Sequence, residues 1–303
     1  MHHFHSLRTQ FRAVARVLAI CFVLFSPSAA QKCITHDQPN PIASQYPDLP
    51  TGTLNSTTAI IPIPLASALA IIPSKWRILE GAYRSLLPNF PAGQYPVFLY
   101  AAHDHDIQIP AFNFTLPDFS RTSFNFPFLD LLGDGYTSFT WTPSQLISAD
   151  SAALAGAQGY GQVAYAASFD PPCDAYRAVP GGCGTYHKSV STNSTSGSGH
   201  VFVELDDFQP ITHGSPYTLK FYKNITNQPI FGNGALCDNM IRLFNTTLTK
   251  GVFEPRFVKG KVSANLPPMN RMQVMEGVYG LQADTPFIEN TQVECATLQG
   301  YSG

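Results

Sequence analysis

Charge is scarce in this 303-residue chain: Asp, Glu, Lys and Arg make up 13% of it, with 18 basic residues against 20 acidic ones. The basic residues are dispersed, which excludes the clustered cationic surface that a phosphate backbone requires, so no nucleic-acid partner is expected. No CxxC, HExxH or comparable spacing of metal ligands occurs, and there is no GxSxG turn. The glycines between Gly156 and Gly161 lack the spacing of a dinucleotide fingerprint. Hydride transfer and serine hydrolysis therefore lack their motifs, and neither a metal nor another cofactor is expected. Beyond residue 30 no eighteen-residue apolar run occurs, and no internal repeat is present.

What is present is a globular composition. At 44% hydrophobic residues the chain can fill a core without a disulfide framework, which excludes a disordered chain and a disulfide miniprotein. Residues 1–30 carry Arg8, Arg12 and Arg16, then the apolar run VLAICFVLF, then small residues ending at Ala30. That order is a secretory signal peptide, its apolar run too short to span a bilayer. Cleavage after Ala30 predicts a secreted protein with no membrane association, carrying 15 basic and 20 acidic residues.

Asn55, Asn113, Asn193, Asn224 and Asn245 head Asn-x-Ser/Thr sequons, expected to be glycosylated in surface turns. Cys173 and Cys183 bracket the turn-rich Val179-Pro180-Gly181-Gly182 and are expected to form a disulfide. Cys33 and Cys295 could tie the two ends of the chain together and leave Cys237 free; sequence alone does not pair them.

With 25 prolines and 22 glycines separating aromatic and β-branched runs, the mature chain reads as many strands and few helices. Residues 31–57 read as an extended N-terminal segment and 58–303 as a single domain. Strands are expected at 58–65, an edge because of its prolines, and at 95–109, 138–147, 162–169, 200–208, 217–222 and 251–266. Apolar residues at Trp76, Leu79, Tyr83 and Leu86 predict a helix over 74–87, and 237–244 reads as a second one. Residues 189–199 form a low-complexity loop. The fold class is α+β, mainly β, around an antiparallel, barrel-like sheet with small flanking helices.

The densest polar cluster is His103-Asp104-His105-Asp106, at the end of the 95–109 strand. Alternation puts His103 and His105 on one face and Asp104 and Asp106 on the other. Two histidines so placed suit acid–base work in a pocket; the plainer reading is a polar strand end at the sheet rim. Arg77, Glu80 and Arg84 fall on one helical face, as an ion-pair ladder or as an Arg reaching a bound carboxylate. Glu204, Asp206, Asp207, Glu254, Arg256 and Lys259 read as solvent-facing strand residues.

The segment Ala82-Tyr83-Arg84-Ser85-Leu86-Leu87-Pro88, followed after a strand by His103-Asp104, resembles a motif order of the acetoacetate decarboxylase superfamily. The resemblance covers residues 58 to about 267. It implies a closed, cone-like β-barrel enclosing a cavity for a small keto acid. The family's chemistry uses a lysine lowered in pKa, yet no lysine lies between Lys75 and Lys188, and Phe98 stands where the family has a glutamate. The resemblance therefore implies the barrel without Schiff-base decarboxylation.

The resulting expectation is a lyase-type transformation of a small carbonyl or carboxylate compound. His103, His105, Asp104 and Asp106 would be the catalytic candidates, and Arg84, Arg77 and Phe98 would contact the substrate. The alternatives are a non-catalytic small-ligand binder and a cell-surface structural protein.

Overall fold

The structure is a computed structural model and describes residues 37–149, 151–193, 200–269 and 272–301. The expected signal peptide, Cys33 and most of the 189–199 loop lie outside them. The first elements are β1 (Thr51–Pro64), α1 (Leu65–Ile71), β2 (Arg77–Ile78), α2 (Glu80–Leu86), β3 (Gln94–Ile109), β4 (Phe114–Leu116) and β5 (Phe119–Asp130). There follow β6 (Phe139–Trp141), β7 (Ser144–Ser148), α3 (Ala152–Gly159), β8 (Val163–Asp170), β9 (Arg177–Ala178) and β10 (Thr185–Ser191). The chain continues through β11 (Phe202–Pro210), α4 (Leu219–Thr226), β12 (Ile230–Phe231), β13 (Leu236–Arg242), β14 (Arg256–Asn265) and β15 (Gln273–Glu294).

The sheet is organised around a wall of four long antiparallel strands in the order β15-β1-β3-β5. β1 is buried without interruption from Thr51 to Ile61, and β3 from Tyr95 to His105. A strand buried on both faces must suit two interiors, which is why β1 reads as Thr, Ser, Ala and Ile rather than as apolar–polar alternation. The outer edges of the wall each serve two partners. β15 pairs β14 through residues 273–282 and β13 through 287–294, while β5 pairs β7 near its start and β6 further on.

Two hydrogen-bonded circuits therefore close through the same wall. One runs β5-β7-β8-β10-β11-β14-β15, and the other β5-β6-β12-β13-β15. The sheet is mixed rather than wholly antiparallel, because β7–β8 and β6–β12 are parallel pairs. The expectation of a mainly β, barrel-like sheet with small helices holds with that amendment.

Several local expectations are corrected. The sheet begins at Thr51, inside the segment read as a lead-in, and β1 is central rather than an edge. Its prolines still obey the edge rule: β15 stops pairing at Ile60, so Pro62 and Pro64 have β3 on one side only. The helix expected over 74–87 is confined to α2, and Arg77 pairs with Asp130 of β5 as a strand.

Residues 219–226, whose start was read as strand, are α4. Thr218 accepts a hydrogen bond from the Phe221 amide at 3.2 Å, and Phe221, Tyr222 and Ile225 bury one helical face. Residues read as a helix over 237–244 form β13 instead, because pairing with β12 and β15 outweighs helical spacing. β15 escaped notice because Gly277, Gly280 and Pro286 read as breakers. Gly280 is required there, since a Cβ would come within 3.1 Å of the Thr58 carbonyl oxygen.

The expected Cys173–Cys183 bridge is absent. Cys183 is free and exposed, Cys173 is disulfide-bonded elsewhere, and Cys237 pairs with Cys295. That pair joins β13 to the turn following β15, which the antiparallel β13–β15 register brings together. Neither a free Cys237 nor a Cys33–Cys295 tie is compatible with it.

Candidate functional site

The two faces of the wall carry different chemistry. Register places Phe98, Tyr100 and Asp104 of β3 on one face with Arg121, Ser123 and Asn125 of β5. The same face receives Ser56 and Thr58 of β1, and Thr285, Phe287 and Glu289 of β15. A bulge in β13 between Cys237 and Asn239 lies at this end, so Asp238 departs from regular alternation.

A cavity of about 350 Å³ opens on this face. Its polar end is made by Tyr100, Arg121, Asp238 and Glu289, with Asn125 and Gln145 beside them. Its apolar end is made by Ile107, Ile109, Phe114, Leu116 and Phe119, and α3 contributes Ala153 and Ala157. Phe114, 48% exposed, stands at the rim, whereas Phe119 is buried.

Arg121 is the fixed point of the polar end. Its Nε and Nη2 donate to the two oxygens of Asp104 at 3.0 and 2.9 Å, a bidentate pair across neighbouring strands. Burial raises the Asp104 carboxyl against the lowering field of Arg121; burial also opposes the Arg121 charge, but Asp104 outweighs it and raises that guanidinium. Behind Tyr100 lies Arg242, which donates to the Tyr100 hydroxyl at 2.9 Å, to Thr285 at 2.7 Å and to Ser56 at 3.2 Å. Both guanidinium groups lie against the Tyr100 ring, with centroid distances of 5.7 and 5.6 Å.

Asp238 and Glu289 line the cavity together with Arg121. Burial lifts both carboxyls above the ordinary range, and the charge of Asp238 lifts Glu289 further. Arg121 pulls both back without reversing the shift. Asp238 Oδ1 is buried without a hydrogen-bond partner among the described residues.

The histidines occupy the opposite face. His103 and His105 share it, with ring centroids 5.9 Å apart. His103 Nδ1 is 2.9 Å from Ser120 Oγ, and burial, then the neighbouring His105 charge, pushes it down to about 3. Burial also opposes a charge on His105, but Asp284, Asp106 and Asp37 outweigh it and raise the ring to about 9. Its Nδ1 is 3.0 Å from Asp106, and its Nε2 lies 3.7 and 3.8 Å from Asp37 and Asp284.

The two shifts carry the rings in opposite directions away from neutrality, and neither ring lines the cavity. Asp104 faces the cavity side as alternation expects. Asp106 does not: its φ of 52° lies at a bulge of β3 against β1, and its carboxylate meets His105.

The expected substrate contacts are corrected as well. Arg77 caps the β2–β5 pair through Asp130 at 2.6 Å, and Arg84 contacts Glu80 and the Phe90 carbonyl. Neither reaches the cavity. Phe98 is buried on the correct face and meets Tyr100 edge-on, but it packs the core rather than lining the cavity.

Arg121, Tyr100, Asp238 and Glu289 escaped the sequence reading. Asp238 lay in a segment read as helix, and Glu289 in one assigned to no element. Of the sequon asparagines, Asn113, Asn193 and Asn245 are exposed and Asn224 is half-buried in α4. Asn55 is not in a turn: it is buried in β1 and donates to Asp37 at 2.7 Å.

No family model and no curated protein matches this chain. Among solved structures it is similar to the enduracididine biosynthesis enzyme MppR with HEPES buffer bound, at 7% identity. That likeness covers 81% of this chain and 88% of that one, with a TM-score of 0.45. It is also similar to an acetoacetate decarboxylase from Legionella pneumophila subsp. pneumophila, at 9% identity. Here 81% of this chain and 86% of that one are covered, with a TM-score of 0.42. The chain resembles acetoacetate decarboxylase-like structures. The resemblance is one of fold outline and extends to no ligand or reaction.

Proposed function

We propose that this chain binds a small carbonyl compound in the cavity on the Tyr100 face and that Glu289 transfers a proton to or from it. Glu289, as carboxylate, takes the proton from the carbon beside the carbonyl, Arg121, held by Asp104, takes the negative charge that develops on the oxygen, and the protonated Glu289 returns a proton to the carbon. The observation that carries this reading is that Glu289, its carboxyl raised by burial and by the charge of Asp238, lines one cavity with a guanidinium fixed by Asp104.

A carboxylate substrate is disfavoured because Asp238 and Glu289 line that end and Arg121 is already paired with Asp104. Schiff-base chemistry has no support: no lysine is among the lining residues, and Lys220 and Lys223 on α4 do not enter the cavity. The non-catalytic binder is the second reading, favoured by the absence of histidine, cysteine and lysine from the lining.

The proposal includes secretion. The charged, apolar, small-residue order of 1–30 supports it, as do the sequons and a disulfide that requires an oxidising compartment.

The test is deuterium exchange followed by NMR on a panel of small ketones and aldehydes in heavy water. The expected result is exchange at the carbon beside the carbonyl, lost in Glu289→Gln. Absence of exchange with every compound, or exchange undiminished in the variant, would remove the acid–base role.

A further inference from the structure

One carboxyl at the polar end of the cavity has a buried oxygen without a partner among the described residues, and it identifies the head group the cavity accepts. Arg121 has committed two of its three nitrogens to Asp104. Arg242 donates to three neutral hydroxyls and does not line the cavity. Beside these two guanidinium groups lie the carboxyls of Asp104, Asp238 and Glu289.

Of these groups only Asp238 has a buried oxygen without a partner among the described residues. Asp238 is 6% exposed, lines the cavity, and has its buried Oδ1 without a partner among the described residues. A buried carboxylate oxygen left without a donor costs about 1–3 kcal/mol or more, so a ligand that brings a donor recovers that free energy. A ligand that brings a second acceptor or a negative charge adds to the cost.

The rest of the lining defines the remainder of the ligand. Tyr100 and Tyr160 flank the acidic end, and Phe114 and Phe119 continue into the aliphatic wall formed by Ile107, Ile109 and Leu116. Aromatic faces accept both an ammonium group and its adjoining methylenes, whereas the aliphatic wall accepts only an apolar tail.

We infer that the cavity selects a small amphipathic amine, its ammonium group donating to Asp238 and its apolar tail lying against Ile107, Phe114 and Phe119. This rests on the reading of the cavity as a ligand site and names the substrate class: a carbonyl compound that also carries an amine. Asp238 is thereby a specificity residue, distinct from the proton carrier Glu289.

The experiment is titration calorimetry of the mature protein with 2-phenylethylamine, 2-phenylethanol and phenylacetate, three probes of nearly equal size. The amine is expected to bind roughly tenfold or more tightly than the alcohol, with no saturable binding of phenylacetate. Asp238→Asn should erase the amine's advantage and Asp238→Glu should retain part of it. Should Asp238→Asn fail to fold, the wild type decides. Because burial raises the Asp238 carboxyl, acidification should weaken the amine but not the alcohol.

Phenylacetate binding as tightly as the amine, amine binding unaltered in Asp238→Asn or on acidification, or no saturable binding of any probe would overturn the inference. Amine selectivity without carbonyl exchange would leave it standing and remove only the acid–base role. Exchange without amine selectivity would do the reverse.

Discussion

Arg121 and Asp104 meet across adjacent strands through two parallel hydrogen bonds, 3.0 and 2.9 Å long, at the polar end of the cavity. Asp104 is 1% exposed, so truncating its charge leaves a buried guanidinium unpaired. Asp104→Asn is expected to cost about 3–5 kcal/mol of folding free energy. Urea denaturation of the variant beside the wild type measures this. A loss below about 1 kcal/mol would mean that water already solvates Arg121.

Arg121→Lys should preserve the charge but lose the fork, because an ammonium cannot donate two parallel bonds in fixed geometry. Exchange of carbonyl compounds should fall sharply while the midpoint of thermal unfolding moves much less than in Asp104→Asn. Equal losses in both measurements would assign Arg121 to structure rather than to the site.

Stability should fall on both sides of about pH 6.5, the ordinary histidine value. His105 is raised to about 9, so its contribution is full below about pH 6.5 and is lost as pH rises through 9. His103 and His187 are lowered to about 3 and about 4 by burial, so they favour unfolding as pH falls from about 6.5 toward those values. Glu289, also raised, loses its contribution over a wider window, from about pH 4.5 through about pH 8. Chemical denaturation across pH, wild type against His105→Gln, isolates the histidine: the variant should show the shallower alkaline limb.

The Cys237–Cys295 bridge closes a 58-residue separation, and Cys237→Ser should cost about 2–4 kcal/mol. Cys183→Ser should leave stability unchanged, since that thiol is exposed and unpaired. Alkylation of the native protein under non-reducing conditions, followed by peptide mass mapping, should label Cys183 and leave Cys173, Cys237 and Cys295 unmodified.

Glycan mapping of protein from a eukaryotic secretory host is expected to find Asn55 unoccupied, because its amide nitrogen is buried and bonded to Asp37. Occupancy is expected first at the exposed Asn113 and Asn245. A glycan at Asn55 would require β1 to be modified before the sheet closes around it.

Local properties of this protein were legible in its sequence. The 95–109 strand, with its two histidines on one face, followed from side-chain alternation, which needs no knowledge of partners. A mainly β fold with short helices followed from the spacing of glycine and proline among aromatic and β-branched runs. Long-range pairing decided the rest. β13 is a strand because β12 and β15 supply its hydrogen bonds, and β15 keeps its glycines because Thr58 crowds against Gly280. The cavity depends on pairing still more completely. Asp104 with Arg121 is separated by 17 residues and a turn of the sheet, and Asp238 and Glu289 come from strands whose register no local pattern encodes. Their raised pKa values arise from shared burial, a property that exists only once the circuits of the sheet have closed.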